Sequence, residues 1–575
     1  SRSTFLLSSA EERPRVQSGL LPMLHMRLAI VLAVLPSFGA RIQKMNRLCY
    51  ELSDGRLEYL AGGNYTAGDV ALVACHMAAN VHQNGIIIAS PSRGTEAIHM
   101  FSDGTSINQN DYFAMWQRDA GLTMRTLVRV GQNAPAVQHQ QKAYAKVMHS
   151  IWSRPSPNDD CAPWTVGPNQ CNIYGEVKFL VNTSVYDKSW GRPQNDGPAI
   201  NALVLMELLL HNQDLDAETA EDARQDVINA LGYVGGMASD STIDPWEMTY
   251  GQHFYVQAIQ HRAMAAAVEM RTQQNWSDTS RLSDNFPNHV DQLASLAEGY
   301  WDSKSGSIAA SHARPWHNPV GPKCLASGIE GSGSFKFPPC ELDTAIVLGS
   351  LYSKSLPRLG SGVPTVVPPY SSQMLSTAAY LVESMAPTYE VNELDDAAGL
   401  PGVLIGRYPG DEYSGVIMSP SNATPPCVGY NCGNPWFMTT HALAELTYEA
   451  ARAAAEGELV PDGLNTRFLL MAMKWQNQTS KKAGFPTTTA SLASMLIAAA
   501  DGILARAKHH AGPDLHMSEQ IYRGNGKIPP LSAGDMIGAR DLTWSYASLL
   551  DALASRFEAT EALKAATPRA LPAFA

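Results

Sequence analysis

The sequence has 575 residues, and 42 Lys and Arg against 54 Asp and Glu give it a formal net charge of −12. Nucleic acids and anionic membranes select surfaces with clustered Lys and Arg, so this balance argues against both kinds of partner. Apolar residues make up 45% of the chain. That share is enough for a large core, and it excludes a disordered, coiled-coil or collagen-like chain.

The N-terminal part of the chain has the layout of a short secretory signal. From Met26 the sequence MRLAIVLAVLPSFGA has a basic start, an apolar middle and a small-residue end, which predicts a signal peptide over 26–40 within an N-terminal extension of residues 1–45. An N-terminal core helix is the alternative. The apolar run is too short to cross a bilayer, which needs about 20 residues, and no membrane span is expected.

Apolar residues repeat with helical spacing through most of the remaining chain. The run 254–270, for example, places Ile259, Ala263, Ala266 and Met270 on one helix face. Further helices are predicted near residues 68–83, 119–132, 138–153, 197–211, 217–234, 286–301, 341–353, 371–386, 436–455, 461–476, 486–508 and 541–556. The spacing is irregular and no strand–helix alternation occurs. We therefore predict one large all-α domain over 46–560, and a short tail (561–575) in a C-terminal region that frays from about 557.

The eight cysteines suggest a disulfide-bonded protein. Three pairs lie close together in loop-like stretches: Cys161 with Cys171, Cys324 with Cys340, and Cys427 with Cys432. Such pairs indicate loop-closing disulfides formed in an oxidising compartment, with buried free thiols as the alternative. Glycosylation sequons add weak support for secretion and lie at Asn64, Asn182, Asn275, Asn422 and Asn477.

Several catalytic motifs are missing from the sequence. It contains no G-x-x-x-x-G-K-[ST] phosphate loop, no H-E-x-x-H zinc motif and no G-x-S-x-G nucleophile turn. The histidines and cysteines do not have the spacing of a metal site. We expect neither a metal nor a cofactor, and phosphoryl transfer and serine-hydrolase chemistry have no support.

Six loops combine Trp or Tyr with a carboxylate or Arg. They are DYFAMWQRDAGL (111–122), GEVKFLVN to WGRPQNDGP (175–198), DPWEM (244–248), GRYPGDEY (406–413), GNPWF (433–437) and HMSEQ (516–520). Aromatic faces stack on the apolar face of a sugar ring, while Arg and Asp bond its hydroxyls. Each loop alone has an ordinary structural interpretation, but six of them in one helical array favour a carbohydrate site.

These loops resemble the glucoamylases of glycoside hydrolase family fifteen over about 85–555. The markers occur in the family's order: ASPS (89–92), DYF to W-x-R-D (111–119), GE-x-KF (175–179), WGRPQ-x-DGPA (190–199), WE to QHRA (246–263), GRYP (406–409), GNPWF (433–437), SEQ (518–520) and DLTWSYA (541–547). The resemblance implies an (α/α)6 barrel that removes glucose, with inversion, from the non-reducing ends of α-1,4-glucans. It further implies Glu247 as general acid and Glu519 as general base, with carboxyl groups about 6.5–9.5 Å apart.

The resemblance also implies a set of substrate-binding residues. Arg118 and Asp119 would hold the hydroxyls of the terminal sugar, and Arg407 would contact the same ring. Trp246 would be the apolar neighbour that raises the pKa of Glu247. The remaining lining residues would be Tyr112, Trp116, Trp190 and Trp436, with Lys178 as a lining cation.

The sequence departs from the family pattern at the neighbouring sugar's site. Met248 stands where a second Glu is usual, Pro245 replaces an aliphatic residue, and Gly410 replaces an acidic one. An insertion between Tyr413 and Gly433 adds a loop near the mouth. These changes leave open an α-1,6-glucan or trehalose as substrate, and a non-catalytic sugar-binding protein is the third hypothesis.

The resemblance sets the remaining expectations. The starch-binding domain that many members carry has no counterpart in the sequence, which predicts weak action on granular starch. We expect a monomer that is secreted or lies within the secretory or vacuolar pathway.

Overall fold

The structure is a computed structural model that describes residues 47–131, 134–156, 172–188, 190–273, 286–312, 342–354, 364–420, 427, 432–476 and 484–571. The predicted signal peptide lies outside these residues. Cys161, Cys171, Cys324 and Cys340 lie outside them too. The described residues from Arg47 onwards form one compact unit.

Helices dominate the described residues. In chain order they are α1 (Arg47–Ser53), α2 (Ala67–Ala79), α3 (Gln117–Gly131), α4 (Pro135–Trp152), α5 (Asp196–His211), α6 (Ala217–Gly236), α7 (Phe254–Gln273), α8 (Phe286–Glu298), α9 (Thr344–Tyr352), α10 (Ser372–Met385), α11 (Glu390–Ala397), α12 (Phe437–Glu456), α13 (Thr466–Trp475), α14 (Thr489–Ala511) and α15 (Thr543–Ala565). Every predicted helical run overlaps one of these helices. The sequence did not predict α1 and α11.

Short strands occupy the loops. They are β1 (Ala97–Met100), β2 (Ser106–Gln109), β3 (Met115–Trp116), β4 (Lys178–Phe179), β5 (Thr242–Ile243), β6 (Tyr250–His253), β7 (Trp301–Asp302), β8 (Ser307–Ile308), β9 (Ser311–His312), β10 (Val416–Ser419), β11 (Gln520–Ile521) and β12 (Met536–Ile537). The antiparallel pair β3–β4 carries Trp116 and Lys178, the pair β5–β6 flanks the turn that contains Glu247, and β11 of the pair β11–β12 begins directly after Glu519.

Six helices form a closed inner ring. Helix α3 contacts α5, α5 contacts α7, α7 contacts α9, α9 contacts α12, α12 contacts α15, and α15 returns to α3. The second helices of the pairs pack outside this ring, as α6 does on α5, α8 on α7 and α14 on α12. The inner helices α5 and α12 bury almost every residue, because both of their faces meet other helices. The prediction of an (α/α)6 barrel is confirmed.

Local sequence signals explain several helix ends. Thr66 and Asp69 form a reciprocal capping box at the start of α2, and Pro135 occupies the first turn of α4. Helix α12 ends at Glu456 and is capped by Gly457, whose φ of 81° is a left-handed conformation that favours glycine. These signals place the ends of the helices and hence the loops between them.

The C-terminal segment differs from the prediction. Helix α15 continues to Ala565, and the chain after it is bound to the segment before α14. The N–H of Thr489 donates to the carbonyl of Arg569, and the N–H of Leu571 donates to that of Thr487, both at 2.9 Å. The prediction of a frayed region from about 557 is therefore wrong for residues 557–571. Residues 557–565 continue helix α15, and the two backbone hydrogen bonds hold the residues after the helix against residues 487–489.

Two disulfides are present among the described cysteines. Cys427–Cys432 confirms one predicted pair. Cys49–Cys75, which joins α1 to α2, was not predicted because its partners lie 26 residues apart. Within the described residues one helix, α14, is long and apolar enough to cross a membrane by length and composition, and 61% of its apolar window is buried in the protein. Its packing on α12, α13 and α15 accounts for that apolar character.

Candidate active site

The predicted site residues gather at the N-terminal ends of the inner helices. Trp116 directly precedes α3, Trp436 directly precedes α12, and the turn that carries Glu247 lies shortly before α7. The inner helices therefore direct their positive dipole ends towards this side of the barrel. One end of the ring holds the aromatic and charged loops that the sequence singles out.

Glu247 lies in a tight turn between β5 and β6. Asp244 holds this turn, because its Oδ1 accepts the N–H of Met248 at 2.7 Å and that of Thr249 at 2.6 Å. Glu247 has a φ of 64°, in the left-handed region that non-glycine residues rarely adopt. Backbone strain of this kind, about 1–3 kcal/mol, tends to occur where a side chain has to be aimed at a functional site.

The carboxylate of Glu247 is held by neutral N–H donors. The indole of Trp116 donates to Oε1 at 2.9 Å, and that of Trp190 donates to Oε2 at 2.8 Å. The amide of Gln194 donates to Oε1 at 3.0 Å, and Arg118 lies 3.7 Å from the same oxygen. The side chain is still 20% exposed, so Glu247 is fixed in orientation while it remains open to a ligand.

Glu519 is completely buried beside two tyrosines. Its Oε1 accepts the hydroxyl of Tyr112 at 2.9 Å, and both of its oxygens lie 3.1 Å from the hydroxyl of Tyr413. Burial raises the pKa of Glu519 to about 7, and the two tyrosines and Arg407 offset only part of this effect. Gly538 leaves the space for this carboxylate, because a Cβ there would lie 2.4 Å from Oε2.

An aromatic pair connects the two carboxylates. The ring centroids of Tyr112 and Trp116 are 5.2 Å apart, and Tyr112 bonds Glu519 while Trp116 bonds Glu247. The structure therefore brings together the two glutamates that are 272 residues apart in sequence (519 − 247).

Arg118 and Asp119 begin α3 and are both buried. The Arg118 guanidinium donates to Asp196 at 2.9 Å and to Gln194 at 3.0 Å. Burial raises the pKa of Asp119 to about 7, although Arg118 acts against this change. The pair presents a fixed cation beside an acid that holds its proton readily, and such groups can donate to and accept from sugar hydroxyls.

Arg407 is held by a carboxylate four residues along its own loop. Its Nε and Nη2 bond the two oxygens of Asp411 at 2.8 and 2.5 Å. The guanidinium carbon lies 4.7 Å from the ring centroid of Tyr413 and 5.4 Å from that of Trp436. This bidentate, ring-enclosed geometry fixes the guanidinium plane.

Trp246 and Trp436 pack together, with ring centroids 5.8 Å apart. The indole N–H of Trp246 donates to Asp343 at 2.7 Å, and its ring stacks on Trp544. Burial raises the pKa of Asp343 to about 8. The indoles that donate to Glu247 are thus those of Trp116 and Trp190, and the action of Trp246 on Glu247 stays a prediction.

Some residues that bond the predicted site residues were not assigned a role from the sequence. Tyr413, Gln194 and Asp411 bond Glu519, Glu247 and Arg407 respectively. All three lie in loops that the sequence picked out, WGRPQ and GRYPGDEY. The signal was therefore present in the motifs, but a motif does not say which of its side chains points inward.

The departures from the family pattern also have places in the structure. The Met248 side chain is partly exposed beside Glu247, and Gly410 adopts a φ of 78° in the Arg407 loop. After Tyr413 the chain forms β10, which pairs with β2 in a three-stranded sheet of order β1–β2–β10. This sheet belongs to the loops beside the aromatic end of the barrel.

Comparison with known proteins agrees with this geometry. The sequence model of the family described as "Glycosyl hydrolases family 15" matches residues 72–554. The chain belongs to this family. The fold and the family that the motifs predict are both confirmed.

Named relatives and solved structures point the same way. The chain is 29% identical over 479 residues to a glucoamylase of Blastobotrys adeninivorans. The matched region covers 79% of this chain and 66% of that glucoamylase. It is 27% identical to a probable glucoamylase of Schizosaccharomyces pombe, and the matched region covers 82% of this chain and 85% of that protein. In structure it resembles the glucoamylase of Saccharomycopsis fibuligera (TM-score 0.62, 22% identity, covering 90% and 96%) and that of Hormoconis resinae (TM-score 0.60, 23%, covering 88% and 77%). Both solved structures therefore share the fold of this chain.

Proposed function

We propose that the protein is an exo-acting, inverting glycoside hydrolase that releases β-D-glucose from the non-reducing ends of α-1,4-glucans. Membership of family 15 and the similarity to relatives named glucoamylase support this function. The observation that carries it is the pair Glu247 and Glu519, held at the two ends of the Tyr112–Trp116 pair. One carboxyl group is open to a ligand and the other is buried.

Glu247 is the general acid. It gives its proton to the glycosidic oxygen while the bond between that oxygen and C1 breaks. The indole N–H groups of Trp116 and Trp190 stabilise the negative charge that the carboxyl group then acquires. Its partial exposure leaves room for the departing sugar chain.

Glu519 is the general base. Water attacks C1 from the face opposite the leaving oxygen and gives a proton to Glu519, so the product forms with inverted configuration. The hydroxyls of Tyr112 and Tyr413 orient the carboxylate without neutralising it. Its raised pKa makes it a stronger base than an exposed glutamate.

The buried guanidiniums determine where the enzyme cuts. Arg118 and Arg407 bond the hydroxyls of one terminal sugar, with Asp119 as a further partner and the rings of Trp246 and Trp436 beneath it. Each cation is already fixed by Asp196 or Asp411, so binding the sugar costs little side-chain entropy. A site closed on one side by these groups accepts a chain end and releases one glucose at a time.

Anomeric analysis of the product tests this function. In the proton NMR spectrum of a digest of long maltooligosaccharides, whose reducing-end residue stays on the residual chain, the first glucose signal should be that of the β anomer. An initial α-glucose signal, or release of maltose from longer chains, would refute inversion or exo action. Parallel digests of isomaltose and trehalose measure the linkage preference, and binding without turnover on all three sugars would indicate a carbohydrate-binding protein.

The two disulfides support function in an oxidising compartment, and we extend the proposal to a secreted or vacuolar-pathway enzyme that acts as a monomer. Its partners in the reaction are the glucan chain and water. Fractionation of the native host measures the location, and light scattering measures the mass in solution.

A further inference from the structure

Lys178 is buried within three aromatic rings. It is the direct cross-strand partner of Trp116 in the β3–β4 pair. Its Nζ lies 3.1 Å from the ring centroid of Trp190, 4.1 Å from that of Tyr186 and 4.2 Å from that of Trp116. The residue is only 3% exposed, so the ammonium has little access to solvent or to a sugar.

We call the rings of Trp116, Tyr186 and Trp190 the ring cage. The ring cage stabilises the ammonium of Lys178 mainly through the faces of the rings. Among the residues that the structure describes, none of the ion pairs within 4.0 Å involves Lys178. Burial lowers the pKa of Lys178 to about 8, while Glu247 and Asp111 act in the opposite direction and Arg192 adds to the lowering. The side chain therefore carries its charge in neutral and acidic solution, where cation–π attraction is strong because the site is desolvated.

Two of the three cage rings are the ones that hold Glu247. Trp116 donates to Oε1 and Trp190 to Oε2, at 2.9 and 2.8 Å. Their rings meet edge to face, 6.2 Å apart at 72°, and Tyr186 packs against Trp190 in the same manner. A charge that fixes these rings also fixes the two N–H groups that hold the carboxyl group.

We infer that Lys178 is a positioning residue, which acts through the indoles of Trp116 and Trp190 on Glu247 and does not bind the hydroxyls of the substrate. This inference rests on the proposed function of Glu247 as general acid. It revises the expectation that Lys178 is a lining cation, because the ammonium is buried against three aromatic rings.

The choice of leaving group separates the two roles. A sugar alkoxide needs protonation by the acid as it leaves, whereas fluoride is a weak base that leaves α-D-glucosyl fluoride with little such help. We expect Lys178→Met to lower kcat for maltose about tenfold, with KM changed by less than about threefold, because the ring cage loses its cation. Turnover of α-D-glucosyl fluoride should change by less than about threefold, because water attack still uses the intact Glu519.

Controls make each outcome decisive. Lys188→Met removes an exposed lysine nearby and should change neither rate. Trp190→Phe keeps a ring but removes its N–H, and it should reproduce the selective loss on maltose. If the Lys178→Met melting temperature shows an unfolded protein, Lys178→Gln takes its place in the same assay.

Three results would overturn the inference. Equal losses on maltose and on the fluoride would indicate a general structural role, and an increased KM with unchanged kcat would indicate a sugar-binding cation. Unchanged turnover of both substrates by a folded variant would mean that the cage has no role in the reaction. Failure of the proposed function is distinguishable, since the unmodified enzyme would then release no glucose from maltose.

Discussion

Two of the buried glutamates, Glu519 and Glu449, differ in the groups that donate hydrogen bonds to them. Glu519, at the aromatic end, meets two tyrosine hydroxyls, and burial raises its pKa to about 7. Glu449, on α12, meets Lys354 at 2.8 Å and Arg452 at 3.1 Å. Burial acts in the same direction there, but the two cations outweigh it and lower the pKa of Glu449 to about 2.

The second region is a group of interlocked charges within the helical wall. We call it the charge cluster and define it by Arg129, Lys354, Glu445, Glu449, Asp551 and Glu558. Its four carboxylates share the two cations and link four helical segments. Burial alone therefore does not identify a catalytic glutamate. The neutral donors of Glu519 leave its pKa raised, whereas the two cations beside Glu449 keep that carboxylate ionised as part of the structure.

The largest effect should come from removing the base. Glu519→Gln should lower kcat for maltose by about 10²–10⁴-fold, because the amide cannot accept the proton of the attacking water. The matched variant Glu449→Gln should lower the melting temperature but keep the turnover per folded molecule. Glucose release and thermal unfolding measure both, and a Glu519→Gln enzyme of normal activity would remove Glu519 from the mechanism.

The second largest effect concerns the charge cluster. Lys354→Met leaves Glu445 and Glu449 buried without this cation, which should lower the free energy of unfolding by about 3–5 kcal/mol. Lys564→Met breaks an exposed ion pair with Glu561 at 2.7 Å. This variant should change the free energy of unfolding by at most about 1 kcal/mol. Urea denaturation measures both values. Equal values for the two variants would show that burial of the pair is unimportant.

The pH dependence of unfolding sharpens that result. Because the folded pKa of Glu449 is depressed to about 2, its contribution is present above the ordinary glutamate pKa of about 4.5 and is lost as the pH falls towards 2. Lys354→Met should weaken this acid-dependent loss. An identical slope of unfolding free energy against pH in both proteins would contradict the assignment of the shift to Lys354.

A smaller effect on kcat is expected at Gly538, which leaves space for the carboxylate of Glu519. In Gly538→Ala the new Cβ would lie 2.4 Å from Oε2 of Glu519, at a φ of 80°. Displacement of the carboxylate should lower kcat by about 10–100-fold. Gly526 has a similar φ of 61° with no atom within 4 Å, so Gly526→Ala isolates the conformational cost. If both alanines reduce kcat equally, contact with Glu519 is not the cause.

The smallest effect should be a shift in pH dependence. Tyr413→Phe removes one neutral donor from Glu519, and the carboxylate then holds its proton more tightly. The acid limb of kcat/KM should therefore move to higher pH by about one unit relative to the unmodified enzyme. Tyr50→Phe, at an exposed position, serves as the control. A shift to lower pH would contradict the role of Tyr413 as a donor to the ionised form.

The sequence alone determined thirteen of the fifteen helices in the described residues and the family to which the chain belongs. Helical spacing located all thirteen predicted runs, because a helix that packs on neighbours repeats its apolar residues locally. The motif order identified the family and the candidate glutamates. The docked tail after Ala565 escaped prediction because its partners at 487–489 lie about 80 residues away.

The tertiary structure decided which groups meet at each carboxylate. Tyr413 reaches Glu519 across 106 residues, and Trp116 reaches Glu247 across 131. Trp246, beside Glu247 in sequence, turns its N–H to Asp343, and Lys178 turns its charge into a ring cage. Such contacts depend on how loops from different helix pairs converge, which local spacing does not encode. The sequence supplied the two glutamates, and the fold supplied the neutral donors that surround Glu519, the proposed base.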